Sequence, residues 1–198
     1  MTEPRFLPML GQQPPERRDA AHNRKLLLEA AQRLVEQCGP DAVTMEAVAT
    51  EAGVGKGTVF RRFTSRSGLM AALLNHSEAE WQANVMGGPA PLGPGAPPID
   101  RLLAFGRSRM ITNLRHADLI RAAGHSGGRP YAAYSFAATH VRYLLGELHV
   151  RGDIALLATS LLAPLELVIL EQQTRIEGMS LNRVAAGWED LVHRVIAG

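Results

Sequence analysis

Apolar residues recur at helical spacing through most of the chain, and no segment alternates apolar and polar residues long enough to predict a strand. In the segment 27–38, apolar side chains fall on one face of a helix, which Gly39 and Pro40 then end. The segment 181–195 shows the same pattern most clearly. We therefore predict an all-α protein.

Three shorter helical segments follow the first one. Thr44 is a suitable N-cap for a short helix, with Glu46 in its first turn, where the helix dipole favours an anion. The residues 53–55 (Gly-Val-Gly) predict a tight turn, and a further helix is expected over Lys56–Phe63. Ser65 or Ser67 can cap the next helix.

Proline and glycine mark two irregular regions. The Pro-rich residues 1–19 predict a flexible arm. Residues 87–98 contain four Gly and five Pro, a composition that excludes regular structure, and we interpret them as the connection between two lobes. Beyond them, helices are predicted at about residues 99–115, 118–123, 130–150, 154–176 and 181–197, with a kink at Pro164.

Positive charge is concentrated in one short segment. The net charge of +2 says little by itself, but residues 52–77 contain Lys56, Arg61, Arg62 and Arg66 and no acidic residue. Residues 78–198 hold eleven basic and eleven acidic side chains, so they balance. A local excess of cations is typical of a surface that binds phosphate groups, although a solvated face has the same composition.

Two short helices joined by a tight glycine turn predict a helix-turn-helix over residues 44–63. In this motif the second helix enters the major groove of DNA, so its first residues must be small and its outer face basic. Gly55, Gly57 and Thr58 meet the first requirement. Arg61 and Arg62 meet the second.

The residues 44–49 (TMEAVA), 52–63 (AGVGKGTVFRRF) and 65–69 (SRSGL) closely resemble the DNA-binding domain of the TetR (tetracycline repressor) family. The resemblance covers about residues 24–74 and implies a homodimer that binds a palindromic operator on double-stranded DNA. It implies three domains: an arm at 1–19, a DNA-binding domain at 20–80, and an effector-binding and dimerisation domain at 81–198. A small-molecule effector would release the operator.

The resemblance also implies which residues meet DNA: Thr44, Gly55, Lys56, Gly57, Thr58, Phe60, Arg61, Arg62 and Arg66. Phe60 stands where the family usually has a tyrosine whose hydroxyl touches phosphate, so that contact is missing. Arg62 stands where histidine is common and can replace the lost contact with a charged one. Arg66 occupies a position that usually caps the next helix and holds phosphate.

The effector is expected to be small and largely apolar, because the C-terminal helices offer apolar and aromatic side chains. Each of these residues is as plausible in an ordinary core as in a pocket. The candidate pocket residues are Phe105, Met110, Leu114, Phe136, His140, Leu144, Leu162 and Glu166.

The last helix carries a wide apolar stripe that predicts either plain core or a dimer seam. The resemblance favours the seam, since the family's last two helices form a four-helix interface. The predicted seam residues are Leu181, Val184, Trp188, Leu191, Val192 and Val195.

Other function classes are less well supported. The chain has one cysteine, Cys38, and no cluster typical of a metal site, so we expect no metal, no cofactor and a reducing, cytoplasmic location. No segment predicts a signal peptide or a membrane span.

Residues 124–128 match the nucleophile elbow of serine hydrolases, with Ser126 as nucleophile, but that motif requires a sheet. A DNA-binding architectural protein without a ligand response is the main alternative, and we do not expect an enzyme.

Overall fold

The computed structural model describes residues 15–123 and 131–198, and every regular element in these two ranges is helical. This confirms the predicted all-α class. The α-helices are α1 (Pro15–Cys38), α2 (Met45–Glu51), α3 (Lys56–Phe63), α4 (Arg66–Gly87), α5 (Pro98–Arg115), α6 (Ala117–Ala122), α7 (Tyr131–Glu147), α8 (Ile154–Leu162), α9 (Leu167–Glu171) and α10 (Leu181–Ala197). Short 3-10 turns lie at Pro40–Ala42 and Ala163–Leu165, and a π-helical turn lies at Gln172–Ile176.

The chain forms two compact units that divide between residues 69 and 70, within helix α4. The sequence-based boundary at residue 80 falls in the same helix and stays a prediction. Helix α1 begins at Pro15, so residues 15–19 are helical, whereas the flexible arm was expected to reach residue 19. Residues 1–14 lie outside the described part of the chain.

Unit 1 is a small helical domain whose core comes from the apolar faces of α1, α2 and α3. Leu27, Leu28 and Ala31 of α1 are almost fully buried, as are Val48 of α2 and Val59 of α3. Helix α2 packs against both α1 and α3. Burial of these inner faces leaves the outer side of α3 for solvent, which is the arrangement a binding helix needs.

Unit 2 has a larger core formed by α5, α7, α8 and α10 together with the second half of α4. The Gly/Pro-rich residues 88–97 contain no helix or strand, as expected. They do not connect the two units, however, because Leu92 packs against the core of unit 2 and the division lies earlier, in α4. The segment is an internal loop of unit 2.

The helix predicted over 154–176 is broken at Pro164, which confirms the kink. Proline has no N–H for the helical ladder, and the chain passes from α8 through a 3-10 turn into α9 with a bend of 44°. Two backbone carbonyls next to the break accept hydrogen bonds from buried side chains. Trp188 Nε1 donates to Leu161 O at 2.8 Å, and Asn113 Nδ2 donates to Leu165 O at 2.6 Å.

Helix α10 turns its apolar stripe into the core of its own unit. Val184, Trp188 and Val192 are buried within the single chain, and Trp188 is only 4% exposed. The ring of Trp188 lies directly on Gly106 of α5, where an added Cβ would come within 2.2 Å of it. These three residues therefore belong to the core of the single chain, and their part in a dimer seam stays a prediction. Leu181, Leu191 and Val195 are half-buried against the same core.

The described residues contain neither a single helix that could span a membrane nor a cluster of side chains placed to hold a metal ion. Among the described residues, no single helix is long and apolar enough to span a membrane. The segments Ile154–Leu165 and Leu167–Ile176 reach the required length and apolar composition only when they are taken together, and they are bent relative to each other. No group of three or more His, Cys, Asp or Glu side chains is placed to hold a metal ion.

Candidate nucleic-acid interface

The helix-turn-helix predicted over 44–63 is present with the expected caps. Thr44 is extended, and its Oγ1 accepts a hydrogen bond from the backbone N–H of Ala47 at 3.0 Å, so it caps α2. Gly53 adopts a φ of +66°, which makes the turn and which a side chain would disfavour. Gly55 then precedes α3 without a side-chain cap, leaving the first N–H groups of α3 without a side-chain acceptor there.

Helix α3 separates an apolar inner face from a basic outer face. Val59 and Phe63 are buried. The exposed residues of this helix and its N-cap are Gly55, Lys56, Gly57, Phe60, Arg61 and Arg62, and Thr58 is half-buried. The structure therefore brings six of the nine residues predicted to meet DNA onto one exposed surface, which we call the α3 face.

Gly57 leaves the beginning of α3 without any side chain above its surface. A Cβ at this position would meet no atom within 4 Å, so the protein itself does not require glycine there. The φ angle of Gly57 is also not one that requires glycine. A glycine at an exposed helix position costs about 0.5–1 kcal/mol relative to alanine. Close approach of another molecule to the backbone would explain the residue.

Lys56 is held by two neighbouring groups, one on α2 and one on α3. Its ammonium pairs with the Glu46 carboxylate of α2 and lies 5.5 Å from the ring centroid of Phe60. The hydrogen bond from Lys56 lowers the pKa of Glu46, so this carboxylate remains ionised. Sequence reasoning placed Glu46 at the helix dipole only, and it missed an acidic group within the predicted DNA surface.

Arg66 makes its contacts within unit 1. Its Nε donates to Val43 O at 2.9 Å, and its second guanidinium nitrogen donates to Pro40 O. The side chain thus supports the turn that precedes α2. The backbone N–H of Gly68 donates to Ser65 Oγ at 3.1 Å, so Ser65 caps α4 as predicted. A phosphate contact by Arg66 stays a prediction, and its two carbonyl bonds favour a bracing role.

The α3 face can bind a polyanion through its exposed cations and through the unbonded N–H groups at the start of α3. The positive end of the helix dipole adds to this attraction. Arg61 lies within 3.5 Å of Thr58 Oγ1, so its guanidinium stays near the N-terminal half of the helix. The geometry fits the major groove, where an α-helix can present its first residues to base edges.

The predicted effector residues gather in unit 2 around one core. Phe105, Met110, Leu144 and Leu162 are fully buried. Leu114 and Phe136 are half-buried and pack against the same core, while Glu166 is half-buried at the break between α8 and α9. Their role as pocket residues stays a prediction.

His140 lies at the centre of an aromatic cluster formed by α4, α5 and α7. Its ring centroid is 5.2 Å from that of Phe105 and 6.2 Å from that of Phe136, both in stacked orientations. Trp81 packs on the far side of both phenylalanines, at 5.1 and 6.1 Å. Burial, reinforced by the charge of Arg101, lowers the pKa of His140 to about 4, so its imidazole is neutral near pH 7.

Sequence reasoning missed a group of exposed apolar side chains in α8 and in the segment after it. Val168, Ile169 and Ile176 of the segment after the kink are exposed, as is Leu156 of α8. We call these four residues the α8–α9 apolar surface. Helical spacing alone could not identify it, because the break at Pro164 changes which side of the segment faces the core.

The residues 124–130, which include the candidate nucleophile Ser126, lie outside the described part of the chain. The described residues contain no strand that could support a nucleophile elbow. Nothing in the comparisons below supports a hydrolase.

Residues 27–73 match the model of the bacterial regulatory proteins of the tetR family. An HTH-type transcriptional regulator of Staphylococcus aureus (strain USA300) is 38% identical over 53 residues, which are 27% of this chain and 29% of that protein. The chain therefore matches less than a third of the length of this curated relative.

Solved structures extend the similarity of fold to most of the chain. PfmR of Thermus thermophilus, a TetR-family regulator, aligns with a TM-score of 0.57 and 18% identity over 85% of this chain and 97% of its own. Thermus thermophilus FadR, a TetR-family repressor in complex with lauroyl-CoA, aligns with a TM-score of 0.55 and 19% sequence identity. The alignment covers 87% of this chain and 93% of FadR. The multidrug binding protein EbrR, in complex with imidazole, aligns with a TM-score of 0.56 and 23% sequence identity. The alignment covers 94% of this chain and 97% of EbrR.

Proposed function

We propose that this chain is a ligand-responsive transcriptional repressor of the tetR family of bacterial regulatory proteins, because residues 27–73 match the model of that family. It would bind a palindromic operator as a homodimer in the cytoplasm. The observation that carries the proposal is the α3 face. Helix α3 has glycine at its N-cap and in its first turn, exposes Lys56, Arg61 and Arg62, and buries its apolar side.

Each half of the dimer would place one α3 in a major groove. Lys56, Arg61 and Arg62 would supply affinity by displacing counterions from phosphates, while Gly57 and Thr58 would allow contact with base edges. The two α3 helices of the binding-competent dimer would then be about 34–36 Å apart, or a multiple of this distance.

Operator selection from a random duplex library tests this proposal directly. We expect enrichment of a palindrome whose half-sites are separated by about 10–10.5 base pairs or a multiple of it. Enrichment of no common sequence, with equal binding to all duplexes, would favour the architectural alternative. No binding to any duplex would contradict the proposal itself.

Unit 2 would bind the effector. Its aromatic cluster offers planar apolar contacts, and FadR and EbrR, which share the fold, were solved with small molecules bound. Binding would release DNA if the effector prefers a conformation in which the two α3 helices no longer fit successive grooves. A ligand with equal affinity for both conformations would have no effect.

The dimer interface would include the α8–α9 apolar surface and not the buried stripe of α10. Val168 and Ile176 are 72% and 74% exposed in the single chain, which is unusual for branched apolar side chains. The family resemblance favours an interface on the last two predicted helical segments, and Val168 and Ile176 belong to the first of these. Association of two copies would remove their apolar area from water.

Replacement of Val168 and Ile176 together by glutamate should shift the dimer toward monomer. Two buried like charges per subunit would oppose association. DNA affinity would fall because each DNA-binding domain would then bind alone. Sedimentation velocity at micromolar concentration checks the mass. Met86→Glu is the matched control, because Met86 is also apolar and 62% exposed but lies on α4. Equal masses for the double variant and the control would contradict this interface.

Replacement of Glu46 by glutamine should strengthen binding to all duplexes, because the Glu46 carboxylate no longer repels phosphate and no longer competes with it for Lys56. The slope of log K against log salt should stay near its wild-type value, since Lys56 meets phosphate in both proteins. Fluorescence anisotropy over a salt series measures the affinity and the slope. Glu51→Gln is the control: Glu51 lies at the other end of α2 and pairs with Arg33. An identical response of the two variants would refute the role of Glu46.

A further inference from the structure

Four buried side-chain atoms have no hydrogen-bond partner among the described residues: Arg101 Nε, Arg109 Nε, His140 Nε2 and Gln173 Oε1. His140 is only 6% exposed, and its Nε2 makes no hydrogen bond. The Nε of Arg101 is also buried without a hydrogen bond. An unsatisfied buried donor or acceptor costs about 1–3 kcal/mol, so such atoms indicate a missing partner.

The Nε of Arg101 and the Nε2 of His140 lie on neighbouring helices. Arg101 lies on α5 and His140 on α7, and the two helices pack against each other. The charge of Arg101 is close enough to lower the pKa of His140. Arg101 forms no ion pair with any of the residues 15–123 and 131–198, whereas Arg107 and Arg109 of the same helix pair with Glu189 and Glu78.

The surroundings of these atoms are aromatic. Phe105 and Phe136 flank the His140 ring, and Tyr143 lies 6.5 Å from it between centroids. Tyr143 is 53% exposed and Arg101 is half-buried, so the cluster extends from the core at Phe105 to the surface. A ligand could therefore enter from solvent and place a flat apolar body among these rings.

We propose that a small aromatic carboxylate binds at the Arg101–His140 site, with its carboxylate accepting from Arg101 Nε–H and His140 Nε2–H and its ring against Phe105, Phe136 and Tyr143. An anion suits the site because Arg101 is a permanent cation without an ion-pair partner among the described residues. A neutral imidazole carries one N–H, and the carboxylate fixes it on Nε2. The proposal rests on the proposed function, since it names the chemical class of the effector.

The experiment compares three acids with their primary amides: benzoate, phenylacetate and indole-3-acetate against benzamide, phenylacetamide and indole-3-acetamide. Calorimetric titration of the free protein should show at least one acid binding about tenfold or more tightly than its amide, as one lost charged hydrogen bond requires. Acids and amides of equal affinity, or no binding of any acid at millimolar concentration, would overturn the proposal.

Three variants locate the site. Arg101→Met should reduce acid affinity about tenfold or more, and His140→Phe should weaken the acid because it keeps the stacked ring but removes the Nε2–H donor. Arg115→Met is the matched control, because Arg115 is an exposed arginine of the same helix. Circular dichroism confirms that each variant is folded. An equal loss in Arg101→Met and Arg115→Met would overturn the assignment.

DNA binding is measured on the same samples by anisotropy, which separates this site from the proposed function. A protein that binds DNA but no acid retains the proposed function and loses the site. A protein that binds an acid through Arg101 but neither binds nor releases DNA retains the site and loses the proposed function.

Discussion

Replacement of Gly57 by glutamine is expected to abolish operator binding while leaving the protein folded. A Cβ at this position meets no atom of the protein within 4 Å, and glutamine is a better helix former than glycine by about 0.5–1 kcal/mol. The free energy of unfolding should thus stay the same or rise slightly. In the complex, however, the new side chain would occupy the space where the start of α3 meets the bases.

The expected loss of affinity for the operator is about 100-fold or more, because each DNA-binding domain of the dimer loses base contacts worth about 1–3 kcal/mol. Anisotropy titration measures it, and thermal unfolding checks the fold. Gly146→Gln is the matched control: Gly146 is also exposed, helical and unobstructed, but lies on α7 of unit 2. Glutamine is uncharged, so the test is steric. Normal operator binding by Gly57→Gln would show that α3 does not approach DNA as we propose.

Replacement of Trp188 by alanine is expected to destabilise unit 2 by about 3–5 kcal/mol. The ring is buried against Gly106, and its Nε1–H is the donor to Leu161 O beside the helix break. The variant therefore loses packing area and leaves a buried carbonyl without its partner. Urea unfolding monitored through the remaining tryptophan, Trp81, measures the loss. An unchanged midpoint would contradict the core assignment of Trp188.

A double-mutant cycle tests the contact with Gly106 itself. Gly106→Ala should cost about 1–3 kcal/mol in the wild-type background, because its Cβ would lie 2.2 Å from the ring of Trp188. In the Trp188→Ala background the obstruction is gone, and alanine should stabilise α5 by up to about 1 kcal/mol. Additive effects of the two substitutions would show that the ring and the glycine do not meet.

The N-terminal features could be predicted from sequence because local chemistry determines them. The cap at Thr44, the turn at Gly53 and the alternation of Val59 and Phe63 with Arg61 and Arg62 each follow from short-range rules. The structure adds the pairing of Glu46 with Lys56. That contact joins two helices, and its existence depends on how α2 and α3 cross, which periodicity does not encode.

The C-terminal features were harder to predict because apolar spacing does not tell which surface an apolar side chain meets. The stripe on α10 has the spacing of an interface, yet Trp188 packs on Gly106 in the same chain. The signal available was Gly106 itself, an unexplained glycine within a predicted helix, which permits close approach of a large ring. Likewise, the exposure of Val168 depends on the bend after Pro164. The angle of this bend cannot be deduced from the composition of the segment.

The salt dependence of operator binding tests the central claim most directly, because it counts the phosphates that the protein neutralises. If Lys56, Arg61 and Arg62 of both subunits meet phosphate, log K should fall with log salt with a slope of about −5 for six contacts. Arg62→Ala should reduce that slope by about two units and weaken binding to all sequences alike. A slope near zero for the wild-type protein would contradict the account.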